Sequence, residues 1–142
     1  MYLADTGFWV ALLWRRDPWH ARARRAYERF NDDGLISTWP VITETCYLIG
    51  KFLGEEAKAA FLERVADQSV LVHASGIEDA LRMADLIRRY SDLPMDLADA
   101  SLVLLAEHLG HGRILSTDMR DFEAYRWKNH APFENLLVVE AQ

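Results

Sequence analysis

The stretch YLADTGFWVALLW, residues 2–14, starts apolar, meets an acid at Asp5, and then runs apolar almost without interruption. Residues 2–4 read as a short strand that ends at Asp5. Phe8 to Trp14 reads as a helix apolar on every face, buried in the core or against another subunit. This opening begins an alternation of strands and helices that continues along the chain.

Working outward, Asp17-Pro18 starts a second, Arg-rich helix with proline at its first position, running to about Phe30. NDDG (31–34) is a turn and LIST (35–38) a strand. Pro40 opens a third helix to about Phe52, and Gly54 separates it from a fourth, EEAKAAFLERVA. SVLVH (69–73) is a strand, and Ser75 is placed to cap a helix from Ile77 to Tyr90. SDLP (91–94) breaks the chain before the apolar helix of DLADASLVLLAEHLG, which Gly110 and Gly112 end. RILST (113–117) runs as a strand into Asp118, and ENLLVV supplies a last, edge strand. The pattern is that of one α/β domain over residues 1–142, a sandwich with a mainly parallel sheet. Ligands of such sheets sit outside the carboxyl ends of the strands.

A chain of 142 residues can bury one sizeable core, and its 51% hydrophobic and 11% aromatic content excludes disorder. The net charge of −6 argues against a general polycation but leaves room for a local basic surface. A concentrated acidic site would itself push the total negative. Cys46 is the only cysteine, so no intramolecular disulfide or thiolate cluster can form. Its apolar neighbours make it a buried structural thiol. The N-terminus lacks the basic region of a signal peptide, and no apolar run is long enough to span a bilayer. The expectation is a soluble, cytoplasmic protein with no membrane partner.

Four acids stand at telling places. Asp5 and Asp118 end strands, Glu44 lies in the first turns of the helix after the second strand, and Asp99 is one turn into its helix. Each has a local explanation. Asp96 can cap a helix that Asp99 supports as an early-turn acid, Asp118 can cap MRDFEAY, and Glu44 can be solvated. Asp5 is harder to explain locally, because it closes an apolar strand with no basic residue beside it. If the first, second and fourth strands are neighbours, all four carboxylates converge. Two carboxylates about 5 Å apart repel by roughly 3 kcal/mol at an effective dielectric of about 20. Four together must share protons or hold a cation. Oxygen ligands without cysteine select Mg²⁺ or Mn²⁺ over Zn²⁺. Acid clusters holding such ions are a common device for phosphodiester hydrolysis.

The ordered set of Asp5-Thr6, Glu44 in VITETCYLIG, Asp99-Ala100 in DLADASLVLLAEHLG, and Ser116-Thr117-Asp118 ahead of Asp121-Phe122 resembles a PIN-domain ribonuclease. It is most similar to the small single-domain toxins of VapC-type toxin–antitoxin pairs, from residue 3 to about residue 125. The resemblance implies a three-layer α/β/α fold and a metal-dependent endoribonuclease. Asp5, Glu44, Asp99 and Asp118 would be its catalytic acids and its ligands for Mg²⁺ or Mn²⁺, and the products would carry a 5′-phosphate and a 3′-hydroxyl. Thr6, Asp96, Ser116 and Asp121 occupy supporting positions. Gly7 stands where the family often has Ser or Asn, and Ser116 where Thr is usual, which keeps the hydroxyl. The resemblance also implies an antitoxin partner whose C-terminal segment covers the acids, often through an arginine. The alternative is a catalytically silent module that binds a protein. An Asp-nucleophile phosphatase or dehalogenase is disfavoured, because Gly7 stands where that class has a second Asp.

An RNA substrate needs positive charge. Arg15, Arg16, Arg22, Arg24, Arg25 and Arg29 form the most basic stretch, readable as a phosphate-tracking edge or as a solvated helix face. Arg113, Arg120, Arg126 and Lys128 form a second group near Asp118. Trp9 and Trp14 belong to packing, whereas Trp19 and Trp39 flank polar turns and are candidates for base stacking. His108 and His111 surround a helix end, and His20, His73 and His130 have no partner spacing. The run GFWVALLW, if exposed, favours a homodimer.

Overall fold

Leu3 lies in register with Ile36 on one side and Ile114 on the other, so the first strand is the centre of the sheet. The computed structural model describes residues 1–139. Strands β1 (Tyr2–Ala4), β2 (Leu35–Thr38), β3 (Leu71–His73), β4 (Arg113–Leu115) and β7 (Glu134–Asn135) form one sheet in the order β3-β2-β1-β4-β7. Every pair in it is parallel. β5 (Arg126–Trp127) and β6 (Ala131–Pro132) make a separate antiparallel ribbon.

The helices are α1 (Thr6–Leu13), α2 (His20–Phe30), α3 (Trp39–Leu53), α4 (Glu55–Ala66), α5 (Ala80–Arg89), α6 (Leu97–Leu109), α7 (Met119–Ala124) and α8 (Leu136–Val139). The chain moves outward from β1 through β2 to β3, then returns to the other side of β1 as β4. Right-handed crossovers then place α1 to α4 on one face and α5 and α6 on the other. In agreement, α1 packs on α2 and α3, while α5 packs on α6. The strand order reverses between β1 and β4, and the crevice outside their carboxyl ends is where such sheets bind ligands.

One hydrophobic cluster runs from Leu3 to Leu137. α1 and α6 are buried within it, through Phe8, Trp9 and Ala11 and through Leu102, Val103 and Leu105. Each fully buried Phe or Leu contributes about 1.5–3 kcal/mol. The Trp9 indole donates to Ser37 Oγ at 2.8 Å, and Ser37 donates in turn to Ala4 O at 2.5 Å. This ties α1 to β1 and β2. The run GFWVALLW is therefore mostly core of the protomer, which removes the basis for reading a homodimer from it.

Other expectations change in detail. Ser75 caps nothing; its buried hydroxyl has no hydrogen-bond partner among the described residues. Asp79 instead accepts the Gly76 N–H at 3.1 Å, a 3₁₀ turn covers Ile77–Asp79, and α5 starts only at Ala80. ENLLVV is an edge strand for two residues and then turns helical, because the Asn135 carboxamide accepts the Leu137 N–H at 3.2 Å. Asp17 caps a turn, through Trp19 N at 2.8 Å, and α2 begins at His20. Cys46 is half-buried rather than buried. Among the described residues no helix is long and apolar enough to cross a membrane.

Candidate active site

The acids are positioned by helix starts. Asp5 keeps its N–H in the sheet, donating to Leu115 O at 3.1 Å, while its Oδ1 accepts the Thr6 N–H at 2.7 Å and begins α1. Asp118 follows β4 and accepts the Asp121 N–H at 3.0 Å, beginning α7. Asp96 accepts the Asp99 N–H at 2.8 Å, and Asp99 Oδ2 accepts the Asp96 N–H at 3.4 Å, a reciprocal cap for α6. Thr38 caps α3, whose second turn carries Glu44. Because β1 and β4 are adjacent and β2 flanks β1, these starts share one end of the sheet. The carboxylates that begin these helices, Asp5, Asp96 and Asp118, therefore lie at that end of the sheet.

Their charges act on one another. Burial pushes the Asp5 carboxyl up to about 7, and the charges of Glu44 and Asp118 add to the rise. The Thr6 N–H and the Ser116 hydroxyl oppose it. Burial likewise pushes Asp99 up to about 8, reinforced by Asp96 and Asp5. Glu44 is raised by burial and by Asp96, and Asp121 reaches about 6 through burial and Asp118. No basic side chain is among the main influences on Asp5, Glu44 or Asp99. A buried acidic group without cations has two ways to relax, protonation or a bound cation.

The PIN domain family model matches residues 2–128. The chain belongs to the PIN domain family. It is similar to Ribonuclease VapC26 of Mycobacterium tuberculosis, 27% identical over 124 residues that cover 87% of this chain and 91% of that protein. Its fold is similar to that of M. tuberculosis VapC20, described as a Sarcin-Ricin loop cleaving toxin, with a TM-score of 0.76 and 19% identity. That match covers 84% of this chain and 92% of the other.

Within this PIN domain, supporting residues come from further along the chain. The buried Ser116 hydroxyl donates to Asp5 Oδ2 at 3.0 Å and accepts the Asp118 N–H at 2.9 Å. Asn135 grips the same residue, accepting Ser116 N–H at 3.2 Å and donating to Ser116 O at 2.9 Å. Tyr125, fully buried against Tyr90 and Phe122, donates its hydroxyl to Asp99 Oδ2 at 3.3 Å. Asn135 and Tyr125 carry no signal in local sequence. Their partners are 19 and 26 residues away. Gly7 sits against Thr117, whose hydroxyl fills the space a Cβ at residue 7 would need. The side chain that Gly7 lacks is thus replaced by Thr117.

The donor set of carboxylate oxygens suits a hard divalent cation. The buried Thr6 hydroxyl, next to Asp5 in the chain, finds no hydrogen-bond partner among the described residues, so a polar atom there is left to be satisfied. Among the described residues, no three acids close on one point as a ready metal cage. Asp5, Asp96, Asp99 and Asp118 each have an oxygen engaged by a backbone N–H.

The basic residues divide. Arg120 is exposed beside Asp121 and its charge lowers that carboxyl. Arg126 is committed to backbone carbonyls, donating to Glu123, Ala124 and Tyr125 at 2.8, 3.2 and 2.9 Å. Arg113 heads β4, at the opposite end from the acids, over the Tyr2 ring. Arg15 and Arg16 lie past the far end of α1, about 12 Å along its axis from Asp5. Arg22 covers Trp19 at 4.8 Å, and Arg25 is exposed on α2. A separate cleft of about 490 Å³ brings His73 and His108 together with ring centroids 4.6 Å apart, a pairing that sequence spacing does not show. It contains none of the four acids.

Proposed function

We propose that this PIN domain is a Mg²⁺- or Mn²⁺-dependent endoribonuclease, the toxin of a toxin–antitoxin pair, acting through Asp5, Glu44, Asp99 and Asp118. The observation that carries this reading is the placement of buried Asp5 and half-buried Asp99 among other carboxylates at the strand-order reversal. Their carboxyls are pushed up to about 7 and about 8 with no basic side chain among the main causes. The relatives, a ribonuclease and a toxin that cleaves the Sarcin-Ricin loop, support RNA as the substrate class.

When bound, a divalent cation supplies a water acidic enough to attack near neutral pH and offsets charge developing on the phosphate. The chain's residues prepare that chemistry. Ser116 fixes one oxygen of Asp5, Thr6 N–H fixes the other, and Tyr125 orients Asp99 from the buried side. Arg120 offers a phosphate contact at the rim, and Arg15, Arg16, Arg22 and Arg25 offer contacts farther along the RNA. An antitoxin arginine placed on the same acids would block them.

The test is the chemistry of the product ends. Cleavage that leaves 5′-phosphates and is lost in Asp5→Asn supports the reading. Products ending in 2′,3′-cyclic phosphate would contradict it, since that outcome uses the ribose hydroxyl in place of water.

A further inference from the structure

Beside Glu44 and Asp96 lies a cleft of about 480 Å³ whose apolar walls are Trp39, Pro40 and Leu97. That volume is in the range of small-molecule sites, roughly 300–1,000 Å³. Trp39 is 48% exposed and Leu97 52%, so two large apolar side chains are left to solvent at the rim of the acid cluster. Each is the first residue of its helix. The Thr38 and Asp96 caps that begin those helices therefore set these walls together with Glu44 and Asp99. The Thr43 hydroxyl donates to Trp39 O at 2.9 Å and closes the first turn. The indole is held on rigid backbone.

We propose that this cleft seats an unpaired nucleobase next to the scissile phosphate, with the Trp39 indole as its stacking platform. The inference rests on the ribonuclease reading and adds how single-stranded substrate is held. Continuity decides the occupant. Glu44 belongs both to the cleft and to the acid cluster, so a group seated here is directly joined to whatever lies on the acids. A nucleobase has apolar faces suited to indole and stands one sugar away from its phosphate. Stacking on an aromatic side chain is tolerant of sequence, because every base has a π-face. Leu97 and Pro40 add apolar wall beside the indole.

The test uses Asp99→Asn protein, which leaves RNA intact, and short single-stranded RNAs carrying 2-aminopurine at successive positions. Fluorescence at one position is expected to be quenched on binding. Trp39→Ala should remove that quenching and weaken binding by about fivefold or more, and Trp39→Phe should restore both. Quenching that persists in Trp39→Ala, or that occurs at no position in the parent protein, overturns the proposal. So does a Trp39→Ala defect seen only in self-association, because exposed Tyr47 on the same ridge of α3 would then mark a contact between copies. Binding is read apart from cleavage. Trp39-dependent quenching in a protein whose wild-type form cuts nothing would keep the cleft and remove the nuclease reading. Metal-dependent cutting with Trp39-independent binding would do the reverse.

Discussion

Ser116 Oγ donates to Asp5 Oδ2 at 3.0 Å, joining the ends of β4 and β1 through one buried hydroxyl. The same oxygen accepts the Asp118 N–H at 2.9 Å, so two of the four acids share a fixed point. Ser116→Ala leaves a buried carboxylate oxygen and a backbone N–H unpaired, at about 1–3 kcal/mol. It also raises the Asp5 carboxyl further, since this hydroxyl holds it down. Ser116→Thr keeps the hydroxyl and should recover most of the loss. Urea unfolding of the three proteins measures the difference.

Stability should fall as pH rises. Asp5 and Asp99 release their protons at about 7 and about 8 in the folded chain, against roughly 4 when unfolded. Between those limits the folded chain binds more protons than the unfolded chain, so stability is present at low pH and lost upward through the window. His73 and His111, lowered by burial, act in the opposite sense below the usual histidine range. Thermal unfolding in chelator should therefore give a higher Tm at pH 5 than at pH 8, with a flatter profile in Asp5→Asn. Mn²⁺ at a hundred times its Kd should restore about 2.7 kcal/mol at pH 8. A pH slope unchanged in Asp5→Asn would contradict the assignment.

Gly7 and Thr117 form a coupled pair. Gly7→Ser drives a Cβ into the Thr117 hydroxyl and should cost about 1–3 kcal/mol by overpacking. Combining it with Thr117→Ala should return most of that. A double-mutant cycle on unfolding free energy reads the coupling, and additive effects would refute it.

Tyr125→Phe removes one hydrogen bond to Asp99 while keeping the ring against Tyr90 and Phe122. Stability should drop by about 1–3 kcal/mol. Cleavage should fall roughly tenfold as Asp99 loses its orientation. Steady-state kinetics on folded protein, checked by circular dichroism, separates the two effects.

The sequence made the local parts of this arrangement readable. Asp5 and Asp118 end apolar strands, Asp96 and Asp99 have capping spacing, and the strand–helix alternation implies a parallel sheet. These signals lie within a few residues. What brings the acids together is the order β3-β2-β1-β4, which local spacing does not encode. Asn135, Tyr125 and Thr117 act across the fold, so local pattern could not mark them. Ser75 misled because a serine before a helical run resembles a cap, while the Asp79 carboxylate, three residues past Gly76, captured the free N–H. GFWVALLW carries no signal about subunits, because an all-apolar helix reads the same in a core as in an interface, and here most of it is core.

The most direct measurement is cleavage of a mixed, structured RNA pool by purified protein with Mn²⁺ or Mg²⁺, alongside chelator and Asp99→Asn controls. The expected result is cutting that needs the metal and disappears in Asp99→Asn. Undiminished cutting by Asp99→Asn, or no cutting together with no Mn²⁺ binding by the wild-type chain, would contradict the acid cluster as a nuclease centre. Asp99 would then serve only to start its helix.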